Sequence, residues 1–116
     1  MTNPFTVTVI PETGHAVLRT DGYINNLGGE RLAEECKRLI DGGTIHLILN
    51  FEHSTVVNSV GISILIEVIE RIEEVSGTLA FCMLTPTIAK TFRIMRLTDA
   101  TTIFGTEPEA IAALAT

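Results

Sequence analysis

Two stretches of the chain, Thr44 to Leu49 and Thr78 to Leu84, are almost continuously apolar, and each is followed by a segment with helical spacing. A strand with one face in water alternates apolar and polar residues. An unbroken apolar run therefore marks a strand covered on both faces, and such strands belong to parallel sheets flanked by helices. Strands that alternate with helices leave few architectures open, and right-handed crossovers between them predict a mainly parallel sheet.

The N-terminal segment follows a different rule. Phe5, Val7 and Val9 alternate with Thr6 and Thr8, the period of a half-buried strand, and Pro11-Glu12-Thr13-Gly14 marks a turn. A second strand from about Ala16 to Thr20 completes a hairpin at the sheet edge. Asn25-Asn26 can cap a helix whose Leu32, Cys36, Leu39 and Ile40 share one face, while Glu30, Arg31, Glu34, Lys37 and Arg38 face water. Gly42-Gly43 ends it. A loop is expected from Asn50 to Asn58, then a helix from about Ser59 to Val75 with Leu65, Val68, Ile69, Ile72 and Val75 on its buried face. Gly77 stops that helix. Thr85-Pro86 opens a third, with Ile88, Phe92 and Met95 facing inward. A short strand near Thr102 to Phe104 precedes Thr106-Glu107-Pro108-Glu109, which has capping-box spacing ahead of Ile111, Ala112 and Leu114. The predicted fold is α/β, an open mixed sheet with an N-terminal hairpin, then mainly parallel strands, and about four helices. Residues 1–116 read as a single domain with Leu47, Leu49, Leu65, Val68, Ile69, Phe81 and Phe92 in its core.

At 116 residues and 46% hydrophobic content the chain can build one core. Its longest apolar stretches, such as Val60 to Ile66, are far short of the ~20 residues a membrane-spanning helix needs. The Met1-Thr2-Asn3-Pro4 start lacks the basic and apolar regions of a secretory signal, so a cytoplasmic location is expected. Cys36 and Cys82 have no Cys-x-x-Cys spacing and no clustered histidines beside them, which points to two small buried hydrophobes and no metal site. A net charge of −6, with eight Lys and Arg spread along the chain and no Trp, argues against nucleic acid and suits a basic patch on another protein.

Nucleotide-binding glycine loops, the nucleophile elbow and the zinc-protease pattern are all absent, so neither catalysis nor a cofactor is expected. Glu73 and Glu74 fall on the outer side of a helix, and His46, alone in its strand, suits a structural hydrogen bond. The distinctive segment is Val56-Val57-Asn58-Ser59-Val60-Gly61-Ile62. Asn and Ser there serve as helix caps, and Gly61 allows close packing. The same placement also suits a switch. A hydroxyl in a helix's first turn lies beside free backbone N–H groups, where a phosphate is stabilised by the helix dipole and leaves the helix intact.

With Leu47-Ile48-Leu49-Asn50-Phe51 ahead of that segment and Phe92-Arg93-Ile94-Met95-Arg96-Leu97-Thr98 after it, the chain resembles the STAS family of bacterial anti-sigma-factor antagonists, stressosome subunits and transporter domains. The family commonly has Asp-Ser-Ser-Gly-Leu at the helix start. Set on it, Ser59 matches the serine phosphorylated by a partner kinase, and Gly61 and Ile62 keep the Gly-Leu character. Asn58 and Asn50 stand where the family commonly has aspartates, and Val60 replaces the second serine. The resemblance implies a non-enzymatic regulator of transcription, a monomer or weak homo-oligomer. Its partner would be an anti-sigma factor or a serine kinase of the histidine-kinase-like fold, and phosphorylation of Ser59 would switch it off. It implies a partner surface of Asn58, Ser59, Val60, Gly61 and Ile62, to which Asn25 and Asn26 on a neighbouring loop are added because strand-to-helix loops share one sheet edge. A non-phosphorylated STAS scaffold in a sensory assembly is the alternative, and a small ligand-binding module or enzyme a further one.

Overall fold

The computed structural model describes residues 4–114 and contains a five-stranded sheet in the order β1-β2-β3-β4-β5. β1 (Thr6–Glu12) and β2 (His15–Asp21) form the antiparallel edge hairpin, with Val7 opposite Thr20 and Val9 opposite Leu18. β3 (His46–His53), β4 (Thr78–Cys82) and β5 (Thr102–Phe104) add in parallel. The crossovers are α1 (Asn26–Asp41), α2 (Ser59–Glu74) and α3 (Pro86–Ile94), and α4 (Glu107–Leu114) follows the last strand. The mixed sheet, its edge hairpin and four helices agree with the sequence expectation.

Alternation along the central strands sorts their side chains into two apolar layers. Leu47, Leu49 and Phe51 of β3 join Leu79 and Phe81 of β4 against Leu32, Leu65, Ile69 and Phe92 from α1 to α3. The opposite face, with Val17, Ile48, Ala80 and Cys82, is covered by α4 through Ala110. That is why β3 and β4 are apolar at successive positions. Phe81 sits between Phe51 and Phe92, edge-on to both, with ring centroids 5.6 and 5.0 Å apart. Both cysteines are free and buried, and burial pushes their thiols up to about 12. His46 Nδ1 lies 2.8 Å from Thr78 Oγ1, tying β3 to β4.

Several boundaries and inward-facing assignments are corrected. The loop expected from Asn50 starts only after His53, because β3 continues beside β2 as far as the Asp21 to His53 pairing. β4 stops at Cys82, where Met83 takes φ 61° and turns the chain. α2 ends at Glu74, and Val75 is 39% exposed as its C-cap. Met95 is 48% exposed because α3 ends at Ile94 and Met95 is its C-cap, the buried residues of the helix being Ile88, Ala89 and Phe92. In α4 the buried residue is Ala110, with Ile111 and Leu114 half-buried and Ala112 exposed. All seven residues expected in the core are buried.

Leu65 is fully buried in the larger layer, so Leu65→Ala is expected to cost about 2–5 kcal/mol in chemical denaturation by leaving a cavity between α2 and the sheet.

Candidate functional site

At the C-terminal end of the sheet, the loops leaving β2 and β3 run side by side before entering α1 and α2. Ile24 and Val57 form an isolated parallel bridge between them. The Ile24 N–H donates to the Val56 carbonyl at 3.0 Å, and the Asn58 N–H donates to the Ile24 carbonyl at 3.1 Å. The two helix starts repeat one local pattern, Asn25-Asn26-Leu27-Gly28 and Asn58-Ser59-Val60-Gly61. In each, the first Asn is the cap. Asn25 Oδ1 accepts from the Gly28 N–H at 3.0 Å, and Asn58 Oδ1 accepts from the Gly61 N–H at 2.8 Å.

Glycine at the fourth position of each pattern has a steric cause. A Cβ on Gly61 would overlap the Ile24 carbonyl oxygen, and one on Gly28 would overlap the Tyr23 carbonyl oxygen. A larger residue at Gly61 would lift α2 off the neighbouring loop, and one at Gly28 would push α1 away from the loop that leads into it.

Ser59 is therefore the first residue of α2 and not its cap, which corrects the expectation that its hydroxyl shares the capping role. Its side chain is exposed and makes no hydrogen bond among the described residues. The Ser59 and Val60 N–H groups also have no acceptor among those residues, since α2's first internal bond runs from the Ile62 N–H to the Asn58 carbonyl. The Ser59 carbonyl accepts from Ser63 Oγ at 3.1 Å, one turn on. The two helix starts and the loops that lead into them carry four exposed apolar residues, Tyr23, Leu27, Val56 and Val60, at 46%, 75%, 54% and 46% of full exposure. A groove of about 520 Å³ leads away between α1 and α2, with Asn26 and Val60 at one end of its lining.

The two joined helix starts therefore present exposed apolar residues and a free hydroxyl as one platform at the C-terminal end of a five-stranded mixed sheet. The family model of the STAS domain matches residues 6–110. The chain belongs to the STAS domain family. Solved structures agree on the fold. The anti-sigma factor antagonist SpoIIAA in its unphosphorylated form matches with TM-score 0.76 and 21% identity, over 97% of this chain and 98% of that one. The Bacillus cell fate determinant SpoIIAA in its phosphorylated form matches with TM-score 0.74 and 23% identity, over 96% and 99%. An anti-sigma factor antagonist from Mycobacterium paratuberculosis matches with TM-score 0.84 and 18% identity over the full length of both chains. No curated protein matches by sequence.

Within this STAS domain the structure brings Asn25, Asn26, Asn58, Ser59 and Val60 to one surface. Gly61 and Ile62 lie beneath it, Gly61 packed on Ile24 and Ile62 only 6% exposed. They shape the platform from below. Asn50 is elsewhere, on the α4 side of β3. Its Nδ2 donates to Glu107 Oε1 at 2.9 Å, and its Oδ1 accepts from the Glu52 N–H at 2.9 Å. Arg19 clamps the same Glu107 through Nε at 3.0 Å and Nη2 at 2.7 Å. These bonds, the Arg19 pair foremost, hold the Glu107 carboxyl below its ordinary value against the opposing effect of partial burial. An aspartate at position 50 would lose the donor and set a second carboxylate against Glu107, so Asn at this position matches the α4 start and not the Ser59 surface. The Leu27 and Tyr23 contributions to the platform were not foreseen; Leu27 corresponds to Val60 in the repeated Asn-x-x-Gly pattern, and that correspondence was the available signal.

Two outcomes follow from the caps and the clamp. Asn58→Ala is expected to destabilise by about 0.5–2 kcal/mol, whereas Ser59→Ala, which removes no hydrogen bond, stays within about 0.5 kcal/mol, both by thermal or urea unfolding. Glu107 has a lowered folded-state pKa, so its contribution is complete above its unfolded value of 4.5 and is lost as pH falls through the lower folded value. Glu107→Gln is therefore expected to flatten the acid limb of the stability profile below about pH 4.5, with the wild-type difference largest near neutrality.

Proposed function

We propose that this STAS domain is a non-enzymatic anti-sigma-factor antagonist whose Ser59 surface binds an anti-sigma factor or a serine kinase of the histidine-kinase-like fold, and that phosphorylation of Ser59 ends the binding. The observation that carries the reading is the division of labour at the start of α2. Asn58 caps the helix, and this leaves the Ser59 hydroxyl exposed, unbonded and beside two N–H groups without acceptors. A phosphate there meets the positive end of the helix dipole and those N–H groups, so it can be added without unfolding the first turn. SpoIIAA, which shares this fold, is described as an anti-sigma factor antagonist and has a phosphorylated form.

The switching effect is electrostatic. The platform of Tyr23, Leu27, Val56 and Val60 favours an apolar contact, and a phosphoserine brings about −1.5 to −2 charges into its centre. Burying that charge against a partner with no cation opposite costs more than the apolar contact returns. The chain's net charge of −6 adds repulsion toward any acidic partner. Regulation of a sigma factor would place the protein in the cytoplasm. It uses no cofactor or metal on this reading.

A second reading, a STAS scaffold in a sensory assembly that is not phosphorylated, is favoured by Val60, whose exposed side chain stands where the family commonly has a second serine. One experiment separates them. Incubation with an ATPase-type serine kinase encoded beside this gene, followed by phosphopeptide mapping, is expected to place phosphate on Ser59. Ser59→Asp is expected to weaken partner binding at least tenfold while its stability stays within about 1 kcal/mol of wild type, and Ser59→Ala to bind normally and resist the kinase. No phosphate on Ser59 together with unchanged affinity of Ser59→Asp contradicts the switch and leaves the scaffold.

A further inference from the structure

α2 and α3 lie on the same face of the sheet, share a groove lined by Ile62, Ile88 and Phe92, and run in the same direction because each links parallel strands. Their outer surfaces carry opposite charge. Beyond its first turns α2 exposes Glu67, Glu70, Glu73 and Glu74, with Arg71 the only cation among them. None of these four carboxylates has an ion-pair partner among the described residues. α3 exposes Lys90 and Arg93, followed by Arg96, and no acidic residue lies between Glu74 and Asp99. Arg96 pairs with Asp99 at 2.9 Å, while Lys90 and Arg93 have no partner among the described residues.

Spacing makes each group a face. Glu67, Glu70 and Glu74 recur at helical intervals on α2, and Lys90, Arg93 and Ile94 do so on α3. Between the cations stand Ile94 and Met95, 69% and 48% exposed, and Val75 is 39% exposed where the acidic helix ends.

We propose that α2 and α3 together form a self-complementary face for a second copy of this chain, giving a two-fold dimer in which the acidic side of each α2 meets the basic, apolar end of the other copy's α3. A two-fold axis between the two copies, parallel to the helices, sets each α2 opposite the other copy's α3 and keeps their direction. The acidic side of each α2 then lies over the other copy's α3, and the contact is made twice. Ile94 and Met95 supply apolar area at its centre. An anionic lipid surface is the poorer occupant, because the α2 carboxylates and a net charge of −6 would meet it along with the cations. Repulsion between two −6 chains is screened beyond about 8 Å at physiological ionic strength, whereas the contact pairs act at shorter range. Exposed ion pairs are individually weak, so the dimer forms at high concentration and exchanges rapidly. Ser59 stays outside it, roughly 12–16 Å along the helix axis from Glu67 and Glu70. The dimer is independent of the proposed Ser59 switch.

Sedimentation velocity from about 10 µM to about 1 mM tests it. Wild type is expected to move from monomer toward dimer across that range. Lys90→Glu with Arg93→Glu makes both helices acidic, and Glu67→Lys with Glu70→Lys and Glu74→Lys makes both basic. Each variant alone is expected to remain monomeric with a wild-type circular dichroism spectrum. An equimolar mixture of the two is expected to recover the dimer, because each helix again faces its opposite. Monomeric wild type at the highest concentration overturns the proposal. So does dimerisation of either variant alone, or a mixture of folded variants that fails to associate. Co-sedimentation of wild type with phosphatidylserine-containing vesicles, in the absence of a dimer, would assign the strip to a membrane surface instead.

Discussion

The carbonyl of Ile24 is the point on which the functional end of the molecule depends. It accepts the Asn58 N–H at 3.1 Å while the Ile24 N–H reaches the Val56 carbonyl at 3.0 Å, so two loops joined to different strands are locked as if they were one more rung of the sheet. Gly61 lies directly over that carbonyl with no room for a Cβ, and Gly29 on α1 leaves space for Ile64 from the α2 side. Because the backbones touch here, the two caps, Asn25 and Asn58, are held in fixed relation. The platform of Tyr23, Leu27, Val56 and Val60 follows from that relation and from no single helix.

A switch built on such a frame changes charge more readily than shape. Ser59 is exposed and is not the cap, so a phosphate on it would leave the forces that hold α2 untouched. Those forces reside in Asn58, in Gly61 and in the apolar face from Ile62 to Ile72. The second face of the sheet is secured separately. There the Arg19, Glu107 and Asn50 network fixes the start of α4 over a thinner apolar layer. The Ser59 surface and the α4 anchorage therefore share strands without sharing side chains.

Much of this was legible in the sequence because apolar periodicity reports directly on which faces are covered. The uninterrupted runs at Leu47 to Leu49 and Leu79 to Cys82 mark strands buried on both sides, and the Asn-x-x-Gly spacing marks both helix starts. Strand ends were harder, since Glu52 and His53 are polar and exposed although His53 still pairs with Asp21 of β2. Met95 and Val75 are apolar at helical spacing, yet each falls where its helix has already ended and turned outward. The Arg19 to Glu107 clamp joins residues 88 apart, and no local pattern encodes such a contact. Ser59 and Asn58 are both good caps by composition, and only the backbone geometry decides that the asparagine takes the role.

The central claim is that two helix starts form one partner surface with Ser59 within it. Its most direct test is an amide NMR titration of the unphosphorylated protein with the serine kinase proposed as its partner. The account predicts that the signals of Ile24 to Gly28 and of Asn58 to Ser63 move together, and that neither set moves when Ser59 carries phosphate. Changes confined to α4, or to one helix start alone, would contradict it.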